Sequence, residues 1–326
     1  MRVVTDWKEC ALSIESILQD DQPLFLGRVG GSDTNAVAAL LEAKRAGQGD
    51  LWGKIYRHRL IVERYNGYYD LDNRGETFWN YINSLLESYR KLKHAFFCNH
   101  QLLSMYFRSN INPDAYVENV EGKAGFEALV EEINDVSPDF RCYPFPFVEK
   151  LTLHDHTLMH VFAGVLESKS VLVVSPFSES IAQNFHNRSE FFRNYAYPSF
   201  ELKLYNTPIT YSGLPKEFYP HKNWFETVEA MKSEIRDIRF DIALLCCGSY
   251  AMPLGDFIAE QMGRKAIYVG GILQMMFGIM GRRYENPFFT SQINPEKFIY
   301  PVEGQRYLQH VKISPEMAKE AFAAYF

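Results

Sequence analysis

Short apolar runs that end in small residues recur along the chain, with apolar positions at helical spacing between them. Residues 24–26 lead through Gly27-Arg28-Val29 into Gly30-Gly31, and 170–174 lead into Ser175-Pro176-Phe177-Ser178. Residues 242–247 lead into Gly248-Ser249-Tyr250, and 265–269 lead into Gly270-Gly271. Runs of this length with such bounds suit strands buried on both faces. After the third run, Leu254, Phe257, Ile258 and Met262 recur at helical spacing until Gly263 caps the segment, and another helix starts near Leu273. After the first, Ser32 or Asp33 is placed to cap a helix that runs to about Ala46.

The remaining pattern predicts helices over 7–19, 76–92, 101–107, 158–166 and 224–238, and strands over 95–98 and 201–210. Residues 118–134 read as loop then helix, and prolines keep 141–148 extended. Residues 50–74 are rich in Tyr, Arg and His without a clear period. They read either as an irregular connector or as aromatics and cations that bind sugar rings and phosphates. Past Tyr284 the pattern weakens: Asn-Pro and Tyr-Pro steps mark loops, and a last helix starts near Pro315. A loop-rich tail such as 285–326 often covers a cleft. The repeated strand–turn–helix unit predicts one α/β domain over 1–326. Its fold class is a doubly wound, Rossmann-like, mostly parallel sheet with helices on both faces. Such sheets bind ligands at the carboxyl ends of their strands, where helix-start amides suit a phosphate.

Composition narrows the class. The net charge of -6 argues against nucleic-acid binding by bulk electrostatics. Cys10, Cys98, Cys142, Cys246 and Cys247 are odd in number and form no Cys-x-x-Cys, so they read as reduced core residues of a cytoplasmic protein. The first ten residues hold no apolar run suited to a signal peptide, and no stretch is long and apolar enough for a membrane span. Aromatic residues make up 15% of the chain, enough to supply both a core and a binding surface.

The candidate chemistry sits at the turns. Gly27, Gly30 and Gly31 are misplaced for G-x-G-x-x-G, and there is neither a P-loop nor a G-x-S-x-G elbow. Dehydrogenase, P-loop and that type of hydrolase chemistry are therefore disfavoured. Arg28 puts a cation beside the first turn, with Asp33 as cap or functional acid. Glu179 is either a helix-start charge or a general base. His154, His156 and His160 share a segment with Asp155 but lack the HExxH pattern, so they read as helix-start histidines.

The block from Gly248 to Leu254, continued from Gly263 to Arg283, resembles a group of bacterial proteins encoded with capsule and surface-polysaccharide genes. Together with residues 26–33 it is similar, more distantly, to glycosyltransferases of the GT-D fold. Those carry Arg-Phe-Gly-Asp-Gly-Glu at the corresponding place. Arg28 matches the Arg, Gly30 the first Gly and Asp33 the final acid, whereas Gly31 replaces the Asp and Ser32 the second Gly. The departure removes one carboxylate of the family's Asp-x-Glu pair.

The resemblance implies a glycosyltransferase that uses a nucleotide-sugar donor in capsule or other surface-polysaccharide assembly. Its catalytic candidates are Arg28, Asp33 and Glu179. Donor contacts would come from Gly30, Gly31, Ser32, Ser175, Gly248, Ser249, Tyr250, Gly270, Gly271, Gln274, Arg282 and Arg283. Asp33 is either the acceptor's base or the remaining ligand of a divalent metal, manganese or magnesium. The implied partners are a nucleotide sugar and a glycan or lipid-linked acceptor, with peripheral attachment to the inner membrane face or to other glycan-assembly enzymes. Pyruvyl or phosphoryl transfer to the same polysaccharide, or non-catalytic nucleotide or glycan binding, are the alternatives.

Overall fold

A computed structural model describes residues 2–4, 6–47, 51–97, 123–144, 148 and 157–310. Its strands are β1 (Arg2–Val3), β2 (Leu24–Val29), β3 (His94–Phe97), β4 (Arg141–Pro144), β5 (Ser170–Ser175), β6 (Glu201–Asn206), β7 (Ile242–Leu245) and β8 (Lys265–Tyr268). They form one sheet in the order β1-β4-β3-β2-β8-β7-β5-β6. Every pairing is parallel.

The alternation of side chains along each strand feeds two cores. Phe25, Ala95, Leu172, Val174, Ala243, Leu245 and Ala266 belong to one core, with the helices Gly31–Arg45, Gly75–Lys91, Trp224–Arg236 and Ala251–Glu260. Leu26, Phe96, Val171, Val173, Leu244 and Ile267 belong to the other, with the helices Trp7–Gln19 and Leu158–Val165. The fold is thus a doubly wound, all-parallel α/β sheet. Val171 to Val174 and Ala243 to Leu245 are fully buried; at about 1.5–3 kcal/mol per large apolar side chain, these central strands are a main source of stability.

Several boundaries differ from the sequence pattern. Residues predicted as irregular form the helix Leu51–Tyr65. Its inward stripe is Ile55, Arg59 and Val62, so a buried arginine interrupts the apolar period. Arg59 is satisfied there by Glu63 at 2.8 Å and Asn73 at 2.6 Å. The strand predicted over 201–210 stops at Asn206, and the helix after Gly271 is only Leu273–Met276. The edge strand β1 is too short to leave a periodic signal. Cys10, Cys142, Cys246 and Cys247 are buried and not joined in disulfides. Cys98, His154, His156 and the helices read over 101–107 and from Pro315 lie outside the described residues. Among the described residues, no helix is long and apolar enough to cross a membrane.

One half-buried carboxyl tests the packing between helices. Asp256, on Ala251–Glu260, accepts from the Ser88 hydroxyl of Gly75–Lys91. Burial is the main cause that pushes its pKa up from 3.8 to about 6, with Lys91, Glu260 and Lys232 as its charged neighbours. Between about pH 4 and 6 the native state therefore holds a proton that the unfolded chain has lost. This stabilisation is full below about pH 4 and is lost as pH rises through about 6. Asp256→Asn keeps an acceptor for Ser88 but lacks the titration. Relative to wild type, its stability in denaturant titrations rises by about 2–3 kcal/mol between acid and neutral pH. Parallel pH profiles for the two proteins would contradict a raised pKa at Asp256.

Candidate active site

Three glycine turns leave adjacent central strands. Gly30-Gly31 follows β2, Gly270-Gly271 follows β8 and Gly248 follows β7, and β8 lies between the other two strands. The helix after β2 packs on one face of the sheet, through Ala36 and Val37, while the short helix after β8 packs on the other, through Leu273 and Met275. Chain segments that part in this way leave a crevice at the strand ends. The cleft encloses about 840 Å3, its open mouth included, and its wall includes Arg28, Asp33 and all three glycine turns. Thr207–Tyr211, beyond β6, and Tyr65–Gly67, at the end of Leu51–Tyr65, close its sides.

Backbone geometry explains two of the glycines. Gly248 has φ 57°, and a Cβ there would lie 2.5 Å from the Asn66 carbonyl oxygen. Gly270 has φ 78°, and its Cβ would lie 2.1 Å from Arg28 Nη1. Both conformations favour glycine. The close approach at Gly270 gives the Arg28 guanidinium its place, 5.5 Å from the centroid of the Tyr268 ring. Tyr268 in turn donates to the Gly248 carbonyl at 3.1 Å.

Asp33 stands in the first turn of Gly31–Arg45 and is 5% exposed. Tyr81 donates to its Oδ1 at 2.5 Å. Burial, the largest influence, raises its pKa; hydrogen bonds from Tyr81 and Asn66 and the charge of Arg28 pull the other way. A carboxylate biased towards taking a proton, yet facing a cleft, suits general-base work. Ser32 donates to Asn66 Oδ1 at 2.7 Å, and the Asn66 carbonyl accepts from Ser249 N–H at 2.8 Å. Asn66 thus ties the first turn to the third. Sequence reasoning missed it, although Asn66-Gly67 is a helix-stop signal, with Gly67 at φ 82°.

The amides divide into two groups. Gly30 N–H donates to Thr34 Oγ1 at 2.6 Å, Gly270 N–H to the Leu245 carbonyl at 3.1 Å, and Ser249 N–H to Asn66 as above. Gly30 and Ser249 therefore do not offer the ligand amides expected from the sequence. Their hydrogen bonds hold the turns in shape. The N–H groups of Gly31, Gly248 and Gly271 are not committed to another described residue, and all three line the cleft.

Other predicted positions fall elsewhere. Tyr250 lines the cleft, stacked on Trp224 at 6.0 Å, with its hydroxyl held by Thr210 at 2.6 Å. The Ser249 hydroxyl accepts from Trp224 Nε1 at 2.8 Å, and Ser175 Oγ accepts from Phe177 N–H at 3.2 Å. Both serines are buried structural links. Gln274 is 1% exposed within its short helix, and Arg282 is exposed in the turn Arg282–Tyr284. Arg283 shares that turn, but its side chain lies outside the described ones. Glu179 is not on the cleft wall; it pairs with Arg306 at 2.8 Å. The described part of the tail also leaves the cleft uncovered, since no lining residue follows Gly271.

A divalent cation does not fit the described residues. Asp33 is the single carboxylate on the described wall and already accepts from Tyr81. Among the described residues, no group of three His, Cys, Asp or Glu side chains could hold a metal.

No family model and no curated protein matches the chain. Two solved structures are similar to it. One is a selenomethionine-substituted domain of unknown function 1792, at 11% identity over 94% of each chain and a TM-score of 0.43. The other is described as a new glycosyltransferase (DUF1792) from Streptococcus sanguinis, at 14% identity over 94% of this chain and 97% of that one, with a TM-score of 0.40.

Proposed function

We propose that this protein transfers a sugar from a nucleotide-activated donor to a glycan hydroxyl in surface-polysaccharide assembly. What carries this reading is the convergence of Arg28, Asp33 and the uncommitted amides of Gly31, Gly248 and Gly271 on one crevice at the sheet's carboxyl edge. A diphosphate needs donors and positive charge where its leaving oxygen gains charge, and water-poor surroundings strengthen both. Arg28 supplies the cation and the three glycines supply the donors. The acceptor hydroxyl oxygen bonds to the anomeric carbon while the bond from that carbon to the diphosphate oxygen breaks. The hydroxyl proton passes to the Asp33 carboxylate, and the nucleoside diphosphate leaves with the electron pair.

The test is thermal unfolding against a panel of nucleotide sugars, with and without manganese. One member of the panel, and its nucleoside diphosphate, raises the melting temperature. The added stability reaches about 2.7 kcal/mol at about a hundred times Kd, and manganese adds nothing to it. Stabilisation by phosphoenolpyruvate with none by any nucleotide would move the protein to pyruvyl transfer. Stabilisation by nucleotide sugars without product from any acceptor would make it a binder.

A further inference from the structure

Behind one wall of the cleft lies a second cavity of about 850 Å3, its open mouth included. Pro176, Thr207, Pro208 and Ile209 line both cavities, so a single thin wall at the ends of β5 and β6 divides them. The rest of its lining includes the Phe218 and Tyr307 rings, 5.6 Å apart and tilted by 55°, with Ser178, Asn206, Glu179 and Arg306. Ser178 donates to Asn206 Oδ1 at 2.9 Å.

We propose that this second cavity binds the acceptor glycan as a neutral saccharide, an inference that rests on the sugar-transfer reading of the adjacent cleft. Three observations favour that occupant. Half-buried aromatic rings offer apolar faces to the C–H side of a pyranose, while their edges stay wet. Asn206, Ser178 and the Glu179–Arg306 pair are polar groups of the kind that meet sugar hydroxyls in both donor and acceptor roles. The charge pattern disfavours a phosphate, because Arg306, the one cation on the described wall, already pairs with Glu179, and Glu303 adds a further carboxylate. A glycan lying here passes its terminal hydroxyl over the Thr207–Ile209 wall towards Asp33. Glu179 and the helix Val302–Leu308 thereby acquire a part at the acceptor side, not at the donor.

Saturation-transfer NMR tests this on the whole protein. The probes are neutral disaccharides that cover glucose, galactose, mannose, rhamnose and N-acetylglucosamine. At least one gives a signal that no nucleoside diphosphate displaces. Its affinity falls about tenfold in both Phe218→Leu and Asn206→Ala. The first variant keeps apolar packing without a ring face, and the second removes a polar group of the lining. Both keep the wild-type melting temperature and its rise with a nucleotide sugar. Absence of any disaccharide signal, equal affinity in both variants, or displacement by the nucleotide would each overturn the inference. A nucleotide-induced rise retained alongside any of those results leaves the donor reading standing. Loss of that rise in the wild type would instead remove the donor reading itself.

Discussion

Arg28→Ala lowers kcat/KM by about a hundredfold or more, the cost of losing one well-aimed donor to a developing anion. The guanidinium is fixed by Tyr268 on one side and by the bare Cα of Gly270 on the other. Lysine restores the charge but not the planar fork, so Arg28→Lys recovers only part of the rate. Gly270→Ala reproduces most of the loss without touching the arginine, because its Cβ claims the space of Arg28 Nη1. Steady-state kinetics with the donor that best stabilises the protein check all three variants, with melting temperatures as the control. Unchanged turnover in a folded Arg28→Ala protein would remove the residue from the chemistry.

Gly248→Ala acts on the fold instead. A Cβ at Gly248 meets main-chain oxygen, which cannot rotate away as a side chain would, and the residue sits at φ 57°. Strain and overpacking together cost about 2–5 kcal/mol, read as a lower denaturant midpoint. Gly31→Ala is the matched control. It shares a positive φ of 78° but has no atom within 4 Å of the added Cβ, so it loses only about 1–2 kcal/mol. Equal midpoints for the two variants would contradict the contact between the β7 turn and Asn66.

Much of the sheet was legible because its strands are buried on both faces. Continuous apolar runs such as 171–174 and 242–245, set between helical segments, suit a central parallel strand and little else. The helix Leu51–Tyr65 was hidden by chemistry that the sequence does not display. Arg59 occupies a core position, and only the fold brings Asn73 round to satisfy it alongside Glu63. At the cleft, glycines marked the turns, and Arg28 and Asp33 marked the first strand's end. Which amides face a ligand was not legible, since it depends on partners that only the fold supplies: Thr34 takes Gly30, and Leu245 takes Gly270. Glu179 shows the same limit. An acid after a strand looks like a base in sequence, but here it answers Arg306, 127 positions further on.

In the proposed reaction the glycine-lined crevice holds the diphosphate of an activated sugar. Nitrogen-labelled glycine resonances report on it directly, in protein titrated with the nucleoside diphosphate that raises the melting temperature most. The expected result is that the amide signals of Gly31, Gly248 and Gly271 shift together along one saturation curve, while Gly47 and Gly263, in turns off the cleft wall, stay in place. Saturation of the nucleotide with those three signals unmoved would contradict it.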